Sequence, residues 1–256
     1  MVEFRDVSCV FGARKTLSAV NAALNPGETV AVIGKGGSGK TVLLNIASRI
    51  MRNFSGDVLI RHRPVQSYSR RDLYRAVTFL GMTPRNMEET VINFLLMARM
   101  PYKKLLNPFT EYDLQVVEEN IDAFGLGPIR DEQLGTLSAS AVQRVYCAFS
   151  FIRESYLLLM DNPTRDLDLE SIVLLQKAMA RYAFDGKRIV LFASNDLNFV
   201  AQTADRILVM EEGRIVLSGA YDIIEPEMVK KYFGVEVFIS RNIFNGKPNI
   251  HYFPES

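Results

Sequence analysis

Gly34-Lys35-Gly36-Gly37-Ser38-Gly39-Lys40-Thr41 is the stretch that decides the fold. The apolar run Thr29-Val-Ala-Val-Ile33 leads into it and reads as a strand, while Val42-Leu-Leu-Asn-Ile-Ala47 leads out and reads as a helix. Strand, glycine loop and helix is the context in which the pattern G-x-x-x-x-G-K-[ST] holds phosphate. Glycines let backbone N–H groups close around phosphate oxygens, and the helix N-terminus adds partial positive charge. Lys40 is expected on the β- and γ-phosphates and Thr41 on Mg²⁺. The plainer alternative is a glycine-rich turn with no ligand.

Composition bounds the rest. The chain has 256 residues, 48% of them hydrophobic and 23% charged, as in a globular chain with a sizeable core. Its net charge of +1 points to no nucleic-acid surface. Cys9 and Cys147 stand far apart and near no histidine, so they read as buried, reduced thiols. No apolar run approaches the roughly 18 residues of a spanning helix. With no signal-like stretch before Val2-Glu-Phe-Arg-Asp-Val7, the expectation is a cytosolic chain whose membrane role comes through partners.

Outward from the glycine loop, Val2–Val10 and Leu17–Leu24 read as strands, with turns expected at 11–13, 25–28 and Ser55-Gly56-Asp57. Ser69-Arg70-Arg71-Asp72 is expected to start a short helix, and Ala76–Leu80 to be a core strand. Residues 84–150 read as an insert of helices. Within it Thr110-x-x-Asp113 resembles a capping box, and Leu114, Val117, Ile121 and Phe124 repeat at helical spacing before Gly125. Leu157-Leu-Leu-Met160-Asp161 is a buried run ending in an acid, the position from which a phosphate-loop protein holds Mg²⁺ opposite Thr41. A helix carrying Ile172, Leu175 and Met179 follows, then strands at 188–193, 207–210 and 214–217. Alternating strands and helices argue for a mostly parallel α/β sheet. Residues 234–256 read as a β-type tail with a possible Asn245-Gly246 hairpin turn.

The order of glycine loop, helical insert, Leu137-Ser138 before Gln143-Arg144-Val145, and Met160-Asp161-x-Pro163-Thr164-x-x-Leu167-Asp168 resembles the ATP-binding-cassette ATPases, from residue 2 to about 254. Met97-Ala-Arg-Met-Pro101-Tyr102, Asn195-Asp196-Leu197-Asn198, Ala204-Asp205-Arg206, Tyr232-Phe-Gly-Val-Glu-Val237 and Asn245-Gly-Lys-Pro248 are similar to the ATPase subunits of importers for iron–siderophore complexes, haem and vitamin B12. The resemblance implies a RecA-like P-loop NTPase fold with an antiparallel β subdomain and a helical insert. Residues 1–233 would form the ATPase domain, with the insert at about 84–150, and 234–256 a tail packed on it. It implies ATP and Mg²⁺ as ligands, transmembrane permease subunits and a second cassette as partners, and a place on the inner face of the cell membrane. Homodimer and heterodimer both stay open.

Carried over residue by residue, the resemblance gives kept and lost parts. Phe11 falls where an aromatic stacks on adenine, and its alternative is a core Phe at a strand end. Ser138 can still donate to a γ-phosphate across a dimer. Met82 stands where a γ-phosphate-sensing Gln belongs, and no Gln occurs between residues 67 and 114. Leu137-Ser138-Ala139-Ser140-Ala141 replaces the signature Leu-Ser-Gly-Gly-Gln, and if either position needs positive φ, roughly 1–2 kcal/mol of strain is expected. Asn162 stands in for the Glu that acts as general base, and Asn195 for the switch His. The two histidines, His62 and His251, occupy neither place and read as ordinary surface residues. Phosphate binding is thus expected to survive where hydrolysis is weak or absent. The other readings are a silent regulatory or structural cassette, and a P-loop kinase or NTPase unrelated to transport.

Overall fold

The computed structural model of the protein describes residues 1–11, 14–81, 88–103, 107–184 and 186–253, with the side chains of residues 11, 14 and 15 outside the description. Two sheets of different character make the body. A four-stranded antiparallel sheet runs in the order β2-β1-β4-β5, from β1 (Val2–Phe11), β2 (Arg14–Leu24), β4 (Ser55–Ile60) and β5 (Arg63–Pro64). A six-stranded sheet uses β3 (Thr29–Ile33), β6 (Val77–Leu80), β7 (Leu157–Asp161), β8 (Ile189–Ala193), β9 (Arg206–Glu211) and β10 (Arg214–Gly219), in the order β10-β9-β3-β8-β7-β6. Its pairs are parallel apart from the β9–β10 hairpin.

The central strands explain themselves. All five residues of β3 and of β8 are buried, as a parallel strand covered on both faces requires. Alternate side chains then feed two cores. Val30, Val32, Leu157, Leu159 and Leu191 pack with the helix α1 (Lys40–Ala47) and the antiparallel sheet. Ala31, Ile33, Leu158, Met160 and Phe192 pack beneath the helical insert and the helices α6 (Leu169–Phe184), α7 (Leu197–Thr203) and α8 (Pro226–Phe233).

The insert consists of α3 (Val91–Met97), α4 (Glu111–Ala123) and α5 (Ala139–Ile152), following α2 (Arg70–Ala76) and β6. Ser69 caps α2 by accepting from the Asp72 N–H. Thr110 and Asp113 form a reciprocal capping box on α4, although the acid is one methylene shorter than the usual Glu. The apolar stripe of α4 is rotated from the one expected. Leu114 is 45% exposed, and Val116, Val117, Ile121 and Phe124 are the buried members. Phe94 of α3 meets Tyr146 edge-on at 5.0 Å and stacks with Phe149 at 4.8 Å, joining α3 to α5.

Two turn expectations are corrected. Ser55-Gly56-Asp57 belongs to β4, paired against β1, with Gly56 at φ 82° where its backbone runs against Arg5 and Asp6. The tail forms a hairpin of β11 (Val237–Arg241) and β12 (Pro248–Tyr252), but its loop spans 242–247. Asn242 N–H donates to Lys247 O, and Asn245 serves as a side-chain acceptor inside that loop. The tail is fastened to α7, because the Asn198 amide both donates to and accepts from the Ile250 backbone. The turn expected at 11–13 lies, in its residues 12 and 13, outside the described residues.

Candidate functional site

The residues of the site converge at the carboxyl ends of β3, β7 and β8, the edge where open α/β sheets present a crevice. Gly34 follows β3 directly with φ 148°, and a Cβ there would collide with the Met210 carbonyl oxygen. Gly39, at φ 104°, is the N-cap of α1, and a Cβ would stand 2.7 Å from Leu17 and 2.9 Å from the Thr16 carbonyl. Only glycine fits these two positions, so the cradle is built into the backbone. A cleft of about 510 Å³ opens over Gly37–Val42, flanked by Thr16 and Met51.

Lys40 is 7% exposed, and its amine donates to Gly34 O at 2.6 Å and Lys35 O at 3.0 Å. Burial lowers its pKa, and the Asp161 charge works in the other direction. The Thr41 hydroxyl donates to Asp161 Oδ2 at 2.7 Å, joining the first turn of α1 to the tip of β7. Oxygen ligands of this kind suit a hard divalent cation. Lys35 lies beside Gly234, the C-cap of α8, where a Cβ would be 3.5 Å from its Nζ. A lysine at a helix C-terminus is electrostatically favourable.

Asn162 follows Asp161 with φ 48°, a left-handed conformation that asparagine tolerates better than most residues. Its Nδ2 donates to Asp161 Oδ1 at 3.2 Å, and its backbone N–H donates to Ala193 O at 2.9 Å. Just after β8, the Ser194 N–H donates to Val32 O, which fixes the exit of β8 against β3. Asn195 is exposed at that exit, and Asp196 caps α7 by accepting from the Phe199 N–H at 2.9 Å.

The remaining expected residues are placed unevenly. Phe11 closes β1 opposite Arg14, and its side chain lies outside the described residues, as does Met82 altogether. Ser138 is the exposed N-cap of α5 and accepts from the Ala141 N–H at 3.2 Å. The strain expected at Ala139 and Ser140 is absent, since both lie in the first turn of α5 and neither has positive φ. Cys9 and Cys147 are buried and free, and burial pushes the Cys147 thiol up to about 12. His62 and His251 are exposed.

Two features had weak sequence signals or none. Arg99, only 3% exposed, donates to Asp113 Oδ1 at 2.8 Å and Glu154 Oε2 at 2.9 Å, and Glu154 also accepts from Arg188 at 2.9 Å. An arginine inside an apolar helical stretch hints at such a partner, but its acids lie 14 and 55 residues away. The Ser140 hydroxyl bonds Asp168, 28 residues on, and nothing in the local pattern announces it.

A family model described as ABC transporter matches residues 17–165. The hemin import ATP-binding protein HmuV of Myxococcus xanthus is 31% identical over 99% of this chain and 97% of its own length. The petrobactin import ATP-binding protein FpuD of Bacillus anthracis is 24% identical over 96% and 91%. Among solved structures, an ATP-binding subunit of an ABC transporter superposes with TM-score 0.77 at 23% identity, covering 91% of this chain and 93% of that one. A dimeric ATP-binding cassette bound to ADP and Pi superposes with TM-score 0.74 at 20% identity, covering 86% and 98%. With more than half of its residues matched by the family model and a relative above 30% identity along nearly its whole length, the chain belongs to the ABC transporter family.

Proposed function

We propose that this chain is the ATP-binding subunit of an importer for iron–siderophore, haem or cobalamin, in which Mg-ATP held at a cassette dimer interface moves transmembrane subunits. One observation carries the reading: a backbone cradle closed to side chains at Gly34 and Gly39 faces the Thr41–Asp161 pair, with an amide, Asn162, as the next residue. Residues 34–41 would hold the phosphates, with Lys40 turning from backbone carbonyls to phosphate oxygens. Thr41 and Asp161 would hold Mg²⁺, which neutralises phosphate charge when bound. Phe11 would stack on adenine, and Ser138 would reach a nucleotide on the second cassette. The named cargo of the relatives, hemin and petrobactin, supports the substrate class.

Hydrolysis is proposed to be weak. The Asn162 amide can orient water but cannot accept its proton, and loss of a general base costs about 10²–10⁴-fold. Asn195 offers no imidazole at the β8 exit, and Met82 no glutamine. A silent regulatory or structural cassette is the second reading, favoured by the bond from Asn162 Nδ2 to Asp161 Oδ1, which gives Asn162 a neutral structural role. Calorimetric titration with Mg-ATP together with steady-state phosphate release, with and without co-purified partners, decides between them. Absence of Mg-ATP binding would overturn both readings, and brisk release by the chain alone would overturn the weak-hydrolysis part.

The permease face is proposed at a cleft of about 510 Å³ beside α2, lined by Arg49, Arg52, Arg70 and Arg153 with the exposed Ile50 and Tyr74. No acidic residue lines it among the described residues, so an acidic, partly apolar cytoplasmic segment fits. Attachment to the inner face of the cell membrane would come through such partners; among the described residues no helix is long and apolar enough to cross a membrane. We assign residues 1–233 to one cassette domain, with the helical insert at about 84–150, and 234–256 to a tail. The bonds of Asn198 and Gln202 to β12 support its packing on the same domain.

A further inference from the structure

The first turn of α5 is tied to a distant loop by a side chain that glycine could not supply. Ser140 Oγ donates to Asp168 Oδ2 at 2.7 Å and accepts from the Asp168 N–H at 3.3 Å. The other carboxylate oxygen, Oδ1, accepts from the Ser171 N–H at 2.8 Å, and the Asp168 carbonyl accepts from the Ile172 N–H at 3.0 Å. Asp168 therefore caps α6 and, through the same carboxylate, grips α5. One of these helices carries the altered signature, and the other follows the loop that begins at Asp161 and Asn162.

The chemistry of the contact is consistent throughout. Ser and Asp near helix starts usually bond their own backbone. Here Ser138 takes that local role by capping Ala141, which leaves the Ser140 hydroxyl free to reach another segment. Arg144, one turn further along α5, adds favourable charge, and the bond from Ser140 does most to bring the Asp168 carboxyl to about 2. The carboxylate is thus ionised throughout the physiological range and remains a strong acceptor. In a Leu-Ser-Gly-Gly-Gln signature a hydrogen atom would stand in place of this side chain. The substitution that reads as a loss creates a new contact.

We propose that Ser140 is a positioning residue that latches the signature turn of α5 to Asp168, so that both segments meet a second cassette as one preformed surface. The inference rests on the proposed dimer-forming cassette and adds to it a contact within one chain. A preformed surface has less freedom to lose on association.

The full-length chain and its variants S140A, S140T and D168N test this. Amide exchange over 139–141 and 163–168 without nucleotide, NMR titration of the Asp168 carboxyl, and sedimentation under saturating Mg-ATP are the three readouts. S140A is expected to speed exchange in both segments, raise the carboxyl midpoint, and weaken Mg-ATP-dependent association roughly fivefold, the scale of one exposed hydrogen bond. S140T keeps the hydroxyl and should behave as wild type, while D168N should speed exchange in the same two segments. Unchanged exchange and titration in S140A would overturn the latch, and altered exchange with unaltered association would overturn its role at the interface. Wild-type chain that stays monomeric under Mg-ATP would overturn the dimer reading and not the latch, which exchange and titration decide by themselves.

Discussion

Thr41 and Asp161, separated by 120 residues, are joined by a 2.7 Å hydrogen bond from the Thr41 hydroxyl to Asp161 Oδ2. The bond places the start of α1 against the tip of β7 and gathers two side-chain oxygens at the mouth of the glycine cradle. Lys40, whose amine rests on Gly34 O and Lys35 O, is held over the same cradle.

Lys40→Ala is therefore expected to abolish Mg-ATP binding in a calorimetric titration. The amine is the one positive side chain buried inside the cradle among the described residues, and its partly desolvated charge is matched to phosphate. The fold should survive, because the two carbonyls that lose the amine, Gly34 O and Lys35 O, belong to a loop whose path is set by its glycines. Unchanged affinity would remove the loop from the site.

Much of this is legible in the sequence. The glycine loop, the apolar run ending at Asp161 and the capping box at Thr110 are local patterns whose physics is contained in a few consecutive residues. Pairings between distant segments are not local. Ser140 with Asp168, and Arg99 with Asp113 and Glu154, depend on how the insert seats on the sheet. Gly56 reads as a turn residue by composition, yet it sits inside β4 because the β1–β4 pairing is irregular there, with a register shift between Arg5 and Ser8. Leu114 fits the expected stripe and is nonetheless exposed, because a helical spacing of three or four fits two neighbouring stripes and only packing chooses between them.

Replacing Asn162 by Glu and Asn195 by His together is expected to leave phosphate release well below that of intact cassettes. A glutamate at 162 inherits φ 48°, which costs roughly 1 kcal/mol for a residue without asparagine's tolerance. It also places a second carboxylate beside Asp161, where like charge raises the pKa of one of them. The altered signature and Met82 remain. Full recovery of steady-state turnover in the double variant would show those losses to be harmless.

Arg99→Met is expected to destabilise the chain by about 3–5 kcal/mol in urea unfolding, because two acids lose a buried partner. Asp113 adds a pH signature. Burial acts to raise its pKa, but the bonds from Thr110 and Arg99 outweigh that and hold it below the ordinary range. A depressed carboxyl contributes stability above its unfolded-state pKa near ~3.9 and loses it as pH falls through the folded value. Acidification below about pH 4 should thus cost the wild type more than Arg99→Met. Parallel acid limbs for the two proteins would show that Arg99 does not set the Asp113 carboxyl.

The cleft beside α2 offers a prediction about partners. Arg49 is committed to backbone carbonyls of Val65 and Tyr68, and Arg153 to those of Tyr74 and Val77, so their charges are fixed in place with no acid paired to them among the described residues. Arg52 and Arg70 line the same cleft near the exposed Ile50 and Tyr74. An acidic segment seated there would gain from every one of these charges, and the gain would be screened by salt over a Debye length near 10 Å at 0.1 M. Arg52→Glu with Arg70→Glu should therefore reduce co-purification of permease subunits from the native host, with Mg-ATP affinity unaltered. The wild-type complex should also weaken as salt is raised from about 0.1 to 0.5 M. Co-purification indifferent both to the charge reversal and to salt would place the permease on another face.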